Sequence, residues 1–196
     1  MMAIPVLPLT LVTSLERRLG TSVAEARSPF TGTSQIQDWG ASWWEYQIEM
    51  AVTQGAKARR LSAFFTALGG LRGQFLFPDP TIEVPLTAGA PGVTDAQAAG
   101  ASTLQTSGWG PGLRAGDFFQ LGTDATTRLY QLTEDVTPVG SAATIHFVPP
   151  LRTAVPAGTP LGLDTPSVLL RLTAPVPTVI GRADQHRFTI SAREAL

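Results

Sequence analysis

With 196 residues, 43% of them apolar and 15% charged, the chain can bury a sizeable core and is too apolar for an intrinsically disordered protein. Fourteen basic side chains against fifteen acidic ones give no general basic field for phosphates, so sequence-wide nucleic-acid binding is disfavoured. The absence of cysteine excludes a disulfide framework, thiolate chemistry and cysteine-based metal sites.

No run reaches the roughly 20 apolar residues that span a bilayer. Residues 1–13 are apolar but lack a basic start and contain Pro5 and Pro8, so they do not read as a signal peptide. The charged fraction lies below the roughly 25% usual for soluble domains. Either much of the surface is covered by other subunits, or a β-rich surface is made of Ser, Thr and Gly. The 19 glycines and 16 prolines favour many turns and short strands.

In chain order, residues 10–15 read as a first strand that ends in Glu16-Arg17-Arg18. Leu19-Gly20 is expected to turn it back into a second strand over 22–26. Pro29 and Gly32 then favour a turn, a short run over 35–39 follows, and Gly40 is expected to break it. Residues 43–50 carry the clearest strand signal. Trp44, Tyr46, Ile48 and Met50 alternate with Trp43, Glu45, Gln47 and Glu49, as in a half-buried antiparallel strand. These short links predict an antiparallel meander.

Gly55–Leu68 has helical spacing, with Leu61, Phe64, Phe65 and Leu68 on one stripe and Gly69-Gly70 as the stop. Lys57, Arg59 and Arg60 crowd its first turns, where the helix dipole disfavours cations. They read either as a solvated face or as partners for carboxylates on a neighbouring subunit. Residues 73–77 predict a strand closed by Pro78-Asp79-Pro80. Residues 88–99, rich in Ala and Gly, read as a linker or long loop.

Beyond it, short strands are expected over 103–106, 117–121, 128–132 and 144–148, the middle two as a hairpin. Their even spacing suggests a small barrel or sandwich, closed by Pro149-Pro150. Two last strands are expected over 167–172 and 187–191. No internal repeat stands out.

The chemistry is sparse. His146 and His186 have no other ligand at helix or hairpin spacing, so each reads as a surface or hydrogen-bonded strand residue. No Ser nucleophile elbow, phosphate loop or metalloprotease helix is present, and the Gly-rich stretch at 69–73 follows a helix instead of preceding one. Glu45 and Glu49 share a strand face, the ordinary outcome for a polar face. A hydrolase would need them in one cleft. Trp43 beside them suits either a sugar platform or a subunit interface.

The order of turn, short strand, Asp38-Trp39-Gly40, Trp-rich strand and helix with a basic start resembles the N-terminal part of distal tail proteins. These belong to long-tailed (siphovirus-like) bacteriophages and related gene transfer agents. Pro149-Pro150-Leu151-Arg152, Leu170-Arg171-Leu172 and the closing Glu194-Ala195-Leu196 are similar to the ends of such proteins. The resemblance implies a mainly β fold with one α-helix: a tube-like antiparallel β-sandwich flanked by the helix, plus a small inserted β-barrel, OB-like. It implies a ring domain over 1–87 completed by 162–196, with the terminal strand returning to it, and an inserted barrel over 88–161.

It also implies a structural virion protein, made in the host cytoplasm, that forms a hexameric ring at the distal end of the tail tube. Its partners would be further copies of itself, the tail tube protein, hub or baseplate proteins and the tape measure protein. DNA would meet it only in passage, and no membrane insertion, cofactor, metal or catalysis is implied. Trp39, Trp43, Glu45, Arg59 and Arg60 are the candidate subunit-interface residues. The alternatives are another ring protein of the same tail, such as a tube or tail-completion protein, and a carbohydrate-binding module built on Trp43.

Overall fold

The computed structural model describes residues 4–8, 12–82 and 89–196. The strand start expected at Thr10 and Leu11, and the boundary expected between 87 and 88, lie outside the described residues. The chain is mainly β with one α-helix among them. In order, it forms β1 (Val12–Arg27), β2 (Ser34–Met50), α1 (Gly55–Leu68), β3 (Gln74–Pro78), β4 (Gly89–Val93), β5 (Thr103–Trp109) and β6 (Phe118–Leu121). Then come β7 (Arg128–Leu132), β8 (Ala142–Val148), β9 (Ser167–Leu172), β10 (Val179–Ile180), β11 (His186–Arg187) and β12 (Thr189–Glu194).

Two five-stranded antiparallel sheets result, ordered β1-β2-β12-β9-β3 and β4-β5-β8-β7-β6. In the first, residues 5–7 add a short parallel pairing beside β3, with Leu7 N–H donating to the Leu76 carbonyl. The buried face of β2 presents Trp44, Tyr46, Ile48 and Met50, the alternation read from the sequence. They meet Phe75 and Phe77 of β3, Leu170 of β9, Ile190 of β12 and the Leu61–Phe65–Leu68 stripe of α1. Gly69 closes α1 in the left-handed conformation that glycine adopts without steric cost.

The second sheet curls. Its two edges, β4 and β6, both bridge to residues 160–162, through Gly92 with Pro160 and Gln120 with Gly162. Leu104, Phe119, Tyr130, Leu132, Ile145 and Phe147 fill its interior, with Phe119, Tyr130 and Phe147 in mutual ring contact at 5.2–5.4 Å.

Three sequence expectations change. Leu19-Gly20 does not turn the chain, because β1 runs unbroken from Val12 to Arg27. Glycine is required there for space, since the Trp43 indole lies across it. Gly40 does not break β2; it breaks its register. Thr21 pairs with Ser42 and Val23 with Asp38, so three residues of β2 stand against one of β1. Gly40 has φ +69°, and Asp38 Oδ1 accepts its N–H at 2.7 Å, the local geometry of a bulge. The expected linker over 88–99 contains β4, which pairs with β5 through Gly92–Ser107 and Val93–Thr106. Its Gly-Ala-Pro composition hides a strand that buries Pro91 and Val93.

The sheets meet at a polar and aromatic junction. Phe118 and Leu129 of the second sheet sit in the first core, with Phe118 5.7 Å from Trp44. The Trp44 indole N–H donates to the Leu129 carbonyl at 2.9 Å. Arg17 pairs with the buried Asp79 carboxylate and lies 4.0 Å over the Phe118 ring. Asp79 also accepts from Tyr46 Oη and from Thr81 N–H and Oγ1, so its lone pairs are well used. Burial and the nearby Asp79 charge push the Tyr46 hydroxyl well above its ordinary pKa. Arg152 and the fully buried carboxylate of Glu194 form the second bridge at 2.7 Å, and Glu194 also accepts the Trp44 backbone N–H.

Candidate functional site

The long hairpin is the most unusual surface of the molecule. β12 pairs with β2 from Arg193–Glu45 to Thr189–Glu49, so among the described residues the only strand neighbour of β2 beyond Trp43 is β1. From residue 34 to 41, β2 is exposed along its whole length. The result is a two-stranded ribbon about 25 Å long, at roughly 3.3 Å per residue. At its tip, Ser28 N–H donates to the Thr33 carbonyl and Gly32 N–H to the Ser28 carbonyl.

This ribbon carries apolar side chains into solvent: Phe30 is 95% exposed, Ile36 69%, Trp39 61% and Val23 45%. Val23 and Ile36 share a face, because Val23 pairs with Asp38 and Ile36 with Glu25. An isolated two-stranded ribbon is marginal in water, and clustered exposed apolar groups mark an interaction surface. Trp39 thus stands on the ribbon. Trp43, Glu45, Arg59 and Arg60 stand elsewhere.

Trp43 and Glu45 form a fixed unit on the outer face of the first sheet. The Trp43 indole N–H donates to Glu45 Oε1 at 2.8 Å, and Arg18 Nε donates to Glu45 Oε2 at 2.5 Å. The Trp43 bond first, and the Arg18 bonds and charge after it, hold the Glu45 carboxyl below its usual range. A glycosidase acid needs the opposite shift. Glu45 lines a depression of about 320 Å³ with Glu16 and Arg18, whereas Glu49 lines a separate one with Thr13 and Arg187. The two carboxylates do not share a cleft.

Arg59 and Arg60 are exposed on α1, remote in sequence from Asp184, which does what the first turn lacks. Asp184 Oδ2 accepts the Gly55 N–H at 3.1 Å, putting a negative charge at the positive end of the helix dipole. Its other oxygen meets His186 Nε2 at 2.8 Å. These contacts, His186 first, lower the Asp184 pKa. His186 is buried, stacked on Phe188, and serves the helix start. No group of three or more metal-ligating side chains converges among the described residues.

No protein-family model and no curated protein matches the chain. Trp109 is buried, its indole N–H bonded to Thr106 Oγ1 at 2.8 Å, and offers no outward aromatic platform. No helix among the described residues is long and apolar enough to cross a membrane.

Several residues central to these sites escaped the sequence reading. Gly20 looked like a turn, because glycine alone does not reveal what approaches it. In the sequence Arg17 is only part of the polar end of the first strand, and Glu194 only part of the closing Glu194-Ala195-Leu196. Only the pairing of distant segments shows that Asp79 and Arg152 cover them. Arg171 and Arg193 carried a usable signal: each sits on the polar side of a strand whose alternate residues are apolar.

Proposed function

We propose that this chain is a structural ring subunit of a long-tailed phage tail tip, a distal tail protein that joins the tail tube to the hub or baseplate. The observation that carries the reading is the ribbon formed by the distal halves of β1 and β2. It exposes Phe30, Ile36 and Trp39 away from the chain's own core. Such a ribbon gains stability and loses its solvent-exposed apolar surface when neighbouring subunits cover it. The resemblance of the Trp-rich hairpin, helix and C-terminal segments to that family supplies the ring, the tail and the virion. The low charged fraction fits a protein whose surface is shared with other subunits.

The partners in this reading are further copies of the chain, the tube protein and the hub, with DNA passing through. The helix and first sheet serve as ring wall, and the second sheet projects as the barrel. No catalytic step is assigned. The direct test is the mass of the purified protein in solution by light scattering over a range of concentrations. A closed oligomer of six subunits is the expected result. A monomer at every concentration, with and without purified tube protein, would overturn the ring.

A further inference from the structure

The outer face of the first sheet carries an unbalanced row of charge. Arg18 of β1 pairs across to Glu45 of β2, Glu45 to Arg193 of β12, and Arg193 to Arg171 of β9. Side chains directly opposite on antiparallel strands lie within about 5.5 Å at Cβ, and like charges there are destabilising. Three arginines thus share one carboxylate. Glu45 is already engaged by Arg18 and the Trp43 indole N–H. Among the described residues, no carboxylate lies within 4.0 Å of the Arg171 or Arg193 nitrogens. Glu194, next in sequence, turns its buried carboxylate to the other side of the sheet and to Arg152.

Arg171 and Arg193 line a notch of about 210 Å³ with Trp43, Glu194, Ala195 and Leu196. Arg171 Nε is buried without a hydrogen-bond partner, which costs free energy. The Trp43 wall is fixed from behind by Gly20 and from the side by Glu45. The notch therefore offers two arginine side chains and an aromatic wall held in place. Arginine forks match the planar, two-oxygen geometry of a carboxylate.

We infer that this notch is a carboxylate-binding site, filled in the assembled protein by an acidic side chain of a second copy of the chain. The inference rests on the ring reading. Glu25 has the matching chemistry. It stands on the exposed ribbon directly opposite Ile36, on a face it shares with Val23, Arg27 and Asp38. It makes no ion pair among the described residues. An exposed acid without an ion pair, opposite Ile36, fits an arginine notch with an aromatic wall.

The test compares the assembly of the wild type with R171Q/R193Q and with E25Q, by sedimentation over a range of concentrations at low and high salt. Each variant is checked for wild-type melting. The expected result is that both variants need about tenfold or more higher protein concentration to assemble, and that their salt dependence flattens. The charge swap R171E/E25R should recover part of the loss. Variants that assemble like wild type, with the same salt response, overturn the inference and leave the ring standing. A wild type that never assembles overturns the ring and the second copy as occupant. Calorimetry with glutarate then reads the notch alone. Heat that R171Q/R193Q abolishes keeps the carboxylate site with a free acid as its ligand, and no heat overturns the site as well.

Discussion

The indole of Trp43 lies across the backbone of Gly20: a Cβ at position 20 would stand 2.9 Å from Trp43 Nε1 and 3.3 Å from Glu45 Oε1. The glycine's own φ is not positive, so space and not backbone conformation decides the residue. Gly20→Ala should push the ring off β1 and lengthen the Trp43–Glu45 hydrogen bond. Overpacking of this kind costs about 1–3 kcal/mol. Thermal melting should show the loss, and Trp43→Phe in the same background should relieve part of it. A Gly20→Ala variant as stable as wild type would show that the indole moves freely.

The bridge from Glu194 to Arg152 ties the terminal strand to the loop after β8. The Glu194 carboxylate is fully buried and takes three donors: two from Arg152 and the Trp44 backbone N–H. Glu194→Ala leaves a mostly buried guanidinium and a backbone donor unpaired, at a cost of about 3–5 kcal/mol. Replacing both partners, Glu194→Gln with Arg152→Met, should cost less than Glu194→Ala, because no charge is then stranded. Urea unfolding of the variants orders them. The opposite order would mean that the bridge is solvated and weak.

Acid should loosen the start of α1 through Asp184. Its carboxyl is held below its ordinary value of 3.8 by His186 and the Gly55 N–H. A lowered folded-state value means that the contribution to stability is full above the unfolded value and is lost as pH falls through the folded one. The melting difference between wild type and Asp184→Asn should therefore be largest near neutral pH and shrink below about pH 4. Glu45 has the same sign, through Trp43 and Arg18. A difference that grows in acid would refute the assignment.

Local pattern made some of this fold legible before any coordinates. The four alternating residues Trp44, Tyr46, Ile48 and Met50 could face only one way, and the stripe from Leu61 to Leu68 could bury only one side of a helix. The bulge at Gly40 and the strand hidden at 89–93 were not legible, because each is defined by what pairs with it. The same limit governs the sites. Asp184 caps a helix that begins 129 positions earlier in the chain, and Asp79 neutralises an arginine on β1. Trp39, named as an interface candidate within the Asp38-Trp39-Gly40 pattern, stands exposed on the ribbon. Sequence could not tell its neighbourhood from that of Trp43, four residues away, because the bulge lies between them.

The ribbon separates assembly from folding, which makes it the sharpest place to test the ring. Ile36 and Trp39 touch little of the core, so replacing both by Ser removes apolar surface without opening a cavity. Exposed substitutions of this kind usually change stability by no more than about 0.5 kcal/mol each. Burial of the same side chains at an interface is worth about 1.5–3 kcal/mol apiece. The double variant should therefore melt like the wild-type monomer and, on the ring reading, fail to form the closed oligomer at concentrations where that reading has the wild type assemble. Light scattering beside differential scanning calorimetry reads both quantities on one sample. Loss of melting temperature together with loss of mass would mean that the ribbon belongs to the monomer's own fold. Unchanged mass would mean that these side chains are not covered in the assembly, and the surface joining the subunits would have to be sought on the other faces of the sheet.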